Sequence, residues 1–312
     1  MLEVSCVIIN YNTSSFTLKC VESILNTTSP ELNFEIIVVD NGSKQEDYLQ
    51  LEDGIRKVSK PDLKLVRSRI NTGFGGGNAF GFQFCGNSKY VVFINNDVEF
   101  MEDDCLSILK NFMDETSDAG VVSPQSVDQN LKFVPTFDHF ASVQREILKR
   151  RTLELLFPKT YLKRKKEYFE PFKVQFITGS FMFFRRSDFE KIGGFDTNIF
   201  LYYEETDLSR NLKEKLGKST YLFPTIKYKH YHGASTAKSL EIKIEQKISL
   251  MYVIRKHYGW WAHKTLLVFF IIRYLFTSIV KPKYWKLWYY FVLGMPLSKS
   301  IKQKQQYLNI MN

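Results

Sequence analysis

Val91-Val92-Phe93-Ile94 is an unbroken apolar run that passes directly into Asn95-Asn96-Asp97. Apolar residues without polar alternation describe a strand covered on both faces, as in the parallel sheets of α/β proteins. Open sheets of that kind bind ligands in the crevice beyond the carboxyl ends of their strands. Asp97 is therefore expected at the mouth of a crevice, with Asn95 and Asn96 beside it. A strand-end carboxylate flanked by carboxamides suits Mg²⁺ or Mn²⁺, hard cations that take one or two carboxylates and complete their shell with water and phosphate oxygens. By itself Asn-Asn-Asp is also ordinary turn chemistry, so the rest of the chain has to decide.

The preceding segments repeat the pattern. Val4–Ile9 reads as a strand, followed by the polar loop Asn10-Tyr11-Asn12 and a helix to about Leu25. Phe34–Val39 is a second buried strand that ends in Asp40-Asn41-Gly42-Ser43, a tight turn or a second acid able to accept hydrogen bonds from a nucleoside. Leu63–Val66 is a third strand. It precedes Asn71-Thr72-Gly73-Phe74-Gly75-Gly76-Gly77-Asn78, where the glycines permit close backbone approach and a helix start can offer amides to an anion, or a helix can pack tightly on the sheet. The spacing fits neither a P-loop nor a dinucleotide-binding turn. A helix near Asp104–Met113 and a strand near Gly120–Ser123 complete a doubly wound α/β half over residues 1–125. Right-handed crossovers bring its strand ends to one edge, so Asp40 and Asp97 are expected to share a crevice.

Residues 126–240 read as the second half of the same domain. Asp128–Lys173 is irregular and basic, a loop region or lid; Phe176–Arg186 returns to strand with a bend at Gly179-Ser180. Tyr203-Glu204-Glu205-Thr206-Asp207 opens a helix. Acids there suit the helix dipole, and the aromatic residues before them can raise the pKa of one and make it a base. His230 and His232 alternate on an extended segment, so one of them at most faces a common metal.

Composition matters most at the end of the chain. The formal charge is +10, yet residues 246–312 contain eleven Lys and Arg and no Asp or Glu, which leaves the remainder close to neutral. In this 241–312 tail the sixteen residues Thr265–Val280 are short for a membrane span and carry Arg273 midway. With Trp260, Trp261, Trp285, Trp288 and interleaved lysines, the tail is expected to lie on an anionic membrane surface, at the inner face of the cell membrane, or else to pack as a covering helix or dimer contact. No nucleic-acid recognition motif accompanies the basic residues. Four scattered cysteines and no secretory signal point to a reducing cytoplasm.

Taken in order, the series Val7–Asn12, Val38–Ser43, Asn71–Asn78, Asn95–Asp97, Thr178–Met182, Tyr203–Leu208 and His230–Ser235 resembles the family 2 glycosyltransferases, especially the rhamnosyltransferase-like branch of bacterial surface polysaccharide synthesis. The resemblance implies a GT-A fold, a Rossmann-like and mostly parallel sheet with helices on its faces. It implies transfer of a sugar, rhamnose among the expectations, from a dTDP- or UDP-sugar to a saccharide acceptor, lipid-linked, with inversion. By match to the motifs, Asp40, Asn10, Asn12, Asn71, Gly73, Gly76, Asn78 and Asn96 would contact the donor. Asp97 and His230 would hold Mg²⁺ or Mn²⁺, with Asn95 and His232 as second choices. Glu205 would be the catalytic base, where many relatives have Asp, with Glu204 and Asp207 as rivals. The alternatives are a sugar nucleotidyltransferase, which the Asn10-Tyr11-Asn12 loop disfavours, or a non-catalytic membrane-bound assembly factor.

Overall fold

The computed structural model describes residues 1–58, 60, 62–231 and 239–308. The first half alternates β1 (Val4–Asn10), α1 (Ser14–Thr27), β2 (Phe34–Asn41), α2 (Gln45–Arg56), β3 (Leu63–Ser68), α3 (Gly73–Phe82) and β4 (Tyr90–Asn95). It continues with β5 (Val98–Phe100), α4 (Cys105–Glu115) and β6 (Ala119–Val127). The basic middle holds short elements, β7 (Phe137–Asp138), α5 (Val143–Leu148), α6 (Arg150–Leu156), β8 (Phe172–Val174) and β9 (Phe176–Ile177). Then come β10 (Phe181–Arg185), α7 (Arg186–Ile192), α8 (Glu204–Leu216), β11 (Ser219–His230), α9 (Leu240–Val280) and α10 (Trp285–Val292).

The main sheet runs β3-β2-β1-β4-β10-β6-β11-β5, with β8 added on β11. β1 to β4 are mutually parallel, as the apolar runs require. β10 enters antiparallel between β4 and β6. β11 is longer than the sequence suggests: the segments around Thr220–Phe223 and Tyr228–His230 form one strand, whose register on β6 shifts between Phe223 and Lys227. Pro224 lies in that interval and has no N–H for the ladder.

Side-chain alternation splits the sheet into two cores. Cys6, Ile8, Ile36, Val38, Val92 and Ile94 pack under α1, α2 and α4. Val7, Ile37, Val39, Val91 and Phe93 face the other way, against α7 and α8, where the Phe93 ring lies 4.9 Å from both Phe189 and Phe195. All four cysteines are free of disulfides.

The tail forms a third core. Ile244, Met251, Ile254, Leu266, Phe270, Leu287 and Phe291 join α9 to α10, with Phe270 and Phe291 stacked at 4.9 Å. α9 kinks at Gly259, whose φ is 80°. Because the amphipathic stretch before Thr265 is also helical, α9 is long and apolar enough by length and composition to cross a membrane, but 33% of its most apolar window is buried within the protein. Its first half braces α8: the buried Asp207 accepts from His257 Nε2 at 2.7 Å and from Lys256 Nζ at 2.9 Å, and Lys256 also reaches Asp196 at 2.7 Å. Asp207→Ala is therefore expected to lower stability by on the order of 2 kcal/mol, a buried pair's loss reduced for the partly exposed Lys256. Denaturant unfolding checks this, and an unchanged midpoint would remove Asp207 from the brace.

Candidate active site

A cleft of about 710 Å³ opens beyond the carboxyl ends of the parallel strands. Ile9, Asn41 and Asn95, the last or next-to-last residues of β1, β2 and β4, line it together with Tyr11, Asn71, Gly73, Asn96, Glu204, Glu205 and His230. Its parity is informative. Ile9, Asn41 and Asn95 continue the faces of Val7, Val39 and Phe93, the side on which α7 and α8 pack. Asn10 and Asp40 continue the opposite parity and turn away from the cleft wall.

That alternation decides where the expected donor contacts lie. Asn10 and Asp40 are fully buried. Asn10 Nδ2 donates to Asp40 at 3.2 Å and to Asp47 at 2.8 Å, and Arg67 Nε donates to Asp40 Oδ2 at 3.1 Å. Burial pushes the Asp40 carboxyl up, opposed by Ser43, Asn10 and Arg67. Asn12, exposed and left-handed at φ 55°, caps the Lys44 amide at 2.9 Å. These residues shape the floor from beneath, and the wall at the end of β2 is Asn41, which sequence reading passed over. Asn41 ties the glycine segment down, donating to the Gly73 carbonyl at 3.0 Å and accepting from Thr72 Oγ1 at 2.8 Å.

Gly73 is required by its neighbour. Its φ is +78°, and a Cβ there would come within 2.1 Å of the Phe200 carbonyl oxygen. The first amides of α3 are already engaged, Gly73 N with Asn71 Oδ1 at 2.9 Å and Phe74 N with Phe200 O at 2.9 Å. The segment thus locks the loop before α8 onto the sheet and does not present those two amides to an anion. Gly76 and Asn78 are buried within α3, and Asn78 Nδ2 donates to the Phe74 carbonyl at 3.2 Å.

Asn95 ends β4, and Asn96-Asp97 forms a two-residue turn into β5, so the strand-end and turn readings both hold. Asn96 Nδ2 donates to Thr13 Oγ1 at 2.7 Å and Thr17 Oγ1 at 2.9 Å. Antiparallel pairing of β5 with β11 sets His230 opposite Val98, and the Tyr231 amide donates to the Asp97 carbonyl at 3.0 Å. That register brings His230 Nε2 to 3.0 Å from Asp97 Oδ1. No group of three or more His, Cys, Asp and Glu side chains converges among the described residues. One carboxylate, one imidazole and neighbouring carboxamides fit a hard divalent cation that draws its remaining ligands from diphosphate and water, and they do not fit a closed structural zinc site. His232 lies outside the described residues.

The two glutamates are delivered by a strained turn. Tyr202 and Tyr203 are both left-handed, at φ 71° and 73°, a conformation costly for bulky residues and characteristic of functional sites. Gly179 N–H donates to Glu205 Oε1 at 3.0 Å, and a Cβ on Gly179 would sit 2.6 Å from that oxygen. A side chain at 179 would push that carboxylate aside. Burial raises the Glu205 carboxyl, opposed by backbone hydrogen bonds including that of Gly179. Glu204 is 2% exposed, and burial first and the neighbouring Glu205 second raise its carboxyl well above the ordinary value. Asp207, one turn on, faces α9 and stays out of the cleft.

One wall had no sequence signal beyond a lone acid. After α10 the chain returns, and Ile301 and Gln305 line the cleft. Ser300 Oγ and the Ile301 amide donate to the buried Glu245 carboxylate at 2.8 and 2.7 Å, and the Leu308 amide donates to the Arg69 carbonyl at 2.8 Å.

The family model of Glycosyl transferase family 2 matches residues 5–193. The chain is 31% identical over 93 residues to an N-acetylglucosaminyl-diphospho-decaprenol L-rhamnosyltransferase of Mycobacterium tuberculosis, a match covering 28% of this chain and 29% of that enzyme. It is 24% identical over 271 residues to the rhamnosyltransferase WbbL of Escherichia coli, covering 80% of this chain and 92% of the relative. In fold it is similar to the crystal structure of GalNAc-T7 with UDP, GalNAc and Mn²⁺, at a TM-score of 0.60 and 14% identity over 80% of this chain and 48% of that one. The GT-A expectation is thereby met.

A carboxyl raised by folding binds its proton more tightly in the folded state, so its stabilising contribution is present below the ordinary glutamate pKa and is lost as pH rises through the raised value. Glu204→Gln is therefore expected to melt at a higher temperature than the wild type at pH 8, with the gap shrinking towards about pH 4. A gap independent of pH in thermal scans would mean that Glu204 is not held neutral by its surroundings.

Proposed function

Because the chain belongs to glycosyl transferase family 2, we propose that it transfers a sugar from a nucleotide diphosphate donor to a saccharide hydroxyl, with Glu205 as general base. The observation that carries this reading is that Glu205 and His230, the latter in contact with Asp97, open onto one cleft at the strand ends. A sugar hydroxyl is a poor nucleophile, and an oriented carboxylate that takes its proton during attack lowers the barrier. A raised pKa makes Glu205 a better proton acceptor once ionised. A single base with attack opposite the leaving group inverts the anomeric centre. Asp97 and His230 would hold Mg²⁺ or Mn²⁺, which supplies charge neutralisation for the departing diphosphate. The nucleoside end is assigned to Ile9, Tyr11, Asn41 and Asn71, over Asp40.

The finer points rest on the relatives. Rhamnosyltransferases of Mycobacterium tuberculosis and Escherichia coli support rhamnose as the sugar moved from the expected dTDP- or UDP-sugar, and the decaprenol diphosphate in the former's name supports a lipid-linked acceptor. Such an acceptor calls for a membrane surface. Exposed Trp260, Trp261, Phe276, Ile279, Val280 and Trp285 give α9 and α10 an apolar outer face among their lysines, suited to the headgroup layer of an anionic cytoplasmic leaflet.

The two halves of the site are separable by mutation. Asp97→Ala is expected to abolish metal-dependent binding of the nucleoside diphosphate, while Glu205→Gln binds donor normally and loses roughly 10²- to 10⁴-fold in turnover. Wild-type rate should fall on the acid side with a midpoint above the ordinary glutamate pKa, because Glu205 must be ionised to accept the proton. A near wild-type rate for Glu205→Gln, or release of pyrophosphate in place of a nucleoside diphosphate, would overturn the assignment. In flotation assays the full chain should rise with anionic vesicles at low salt; no enrichment over neutral vesicles would remove the membrane surface from the proposal.

A further inference from the structure

The proposed chemistry leaves one cation of the cleft without a task. Among the described residues that line it, Arg164 is the only Lys or Arg. It hangs from the segment between α6 and β8 and is fixed there, with Nε donating to the Phe137 carbonyl at 2.8 Å. Its Nη1 lies 3.6 Å from Asp138 Oδ2, an oxygen that Arg150 and Arg145 approach more closely, at 2.8 and 3.1 Å. Glu154 lies 3.8 Å from Arg150 and within 3.5 Å of the Arg164 amide, and Glu146 lies 3.2 Å from Arg145. Of the three guanidinium groups around Asp138, Arg164 is thus the one furthest from its carboxylate, and it is the one that lines the cleft.

Its position separates it from the donor. The nucleoside end of the cleft lies over β1, β2 and β3, whereas Arg164 lines the wall with Ser126, Val134 and Thr178, beyond β4 and β10 in the sheet order. Gly179, which holds Glu205, is adjacent to Thr178. A ligand reaching from Arg164 towards Glu205 therefore presents a hydroxyl to the base while its anionic end meets the guanidinium. Arginine matches phosphate geometry with paired N–H donors, and a guanidinium already oriented by the Phe137 carbonyl loses little freedom on binding. Exposed Lys163, Lys165 and Lys166 flank it and add positive potential at the entrance.

We propose that Arg164 binds the phosphate of the acceptor, so that the acceptor is a phosphate- or diphosphate-linked saccharide held at its anionic end by this residue. This deepens the acceptor reading given above and rests on it.

The test uses the full chain with Mn²⁺ and saturating UDP or dTDP, so that the donor site is filled, and measures binding of a short-chain alkyl diphosphate by calorimetry. The wild type is expected to bind this second diphosphate. Arg164→Ala and Arg164→Gln should weaken it by roughly ten- to a hundredfold, the loss of a charge-assisted hydrogen-bond pair, with Arg164→Lys in between. Nucleoside diphosphate affinity should stay within about twofold in all three, which also certifies their folding. Unchanged alkyl diphosphate binding in Arg164→Ala overturns the proposal, as does a matching loss of nucleoside diphosphate binding, which would move Arg164 to the donor. A wild type that binds no nucleoside diphosphate would instead fail the glycosyltransferase reading itself.

Discussion

The antiparallel strand β10, wedged between β4 and β6, is what turns two remote motifs into one site. Its register pairs Phe181 with Ile94, and just beyond the ladder the Asn95 amide donates to the Ser180 carbonyl at 2.9 Å. On one side of that bond the chain runs through Asn96 to Asp97; on the other it runs to Gly179, whose amide grips Glu205. A backbone hydrogen bond inside a sheet is hard to displace, because both partners would be buried without a substitute. The spacing of Asp97 from Gly179, and so from the Glu205 carboxylate that Gly179 holds, is therefore set by sheet geometry and not by flexible side chains.

The helical layer contributes to the same end. Tyr202 and Tyr203 hold a conformation that bulky residues adopt at a cost, and such strain persists only where the surroundings over-determine it. Here Ser249 Oγ donates to the Leu201 carbonyl at 2.8 Å, Tyr252 reaches Asp196 at 2.8 Å, and Lys256 and His257 clasp Asp207. The first half of α9 thus packs into the scaffold that carries the site. The second half beyond Gly259, with α10, carries the exposed aromatic face. Its returning strap, bolted by Ser300 to Glu245, puts Ile301 and Gln305 into the cleft wall and links the surface-facing helices to the site.

Much of this was legible in the residues, for identifiable reasons. Uninterrupted β-branched runs fix buried parallel strands, and their polar ends fix the edge where ligands bind, so the placing of Asn95, Asn96 and Asp97 followed once the neighbouring segments repeated the pattern. Three acids behind aromatic residues at a helix start marked one of them as a candidate base, and the family resemblance pointed to Glu205. What sequence reading missed was parity. Asp40 and Asn41 are equally polar neighbours, but alternate residues of a strand face opposite ways, and Asn41 shares the parity of Val39 and Ile37. Counting from the helix-packed face would have chosen Asn41, Asn95 and Ile9 for the wall. The glycine cluster was ambiguous because close packing and anion binding ask for the same residue; Phe200 against Gly73 decides for packing at that position. The strap left only Glu245, the last acid before the basic tail, as its trace. Arg164 was hidden among neighbouring basic residues until Phe137 and Asp138 singled it out.

The central claim is that the cation-holding pair and the base face one bound donor. Anomalous diffraction from crystals grown with Mn²⁺ and a nucleoside diphosphate tests it most directly. The account predicts a manganese peak in coordination contact with Asp97 and His230, bridged to the diphosphate, with the Glu205 carboxylate on the open side of the same cleft. A peak held by other side chains, or a nucleotide bound where Glu205 cannot reach its sugar end, would contradict it.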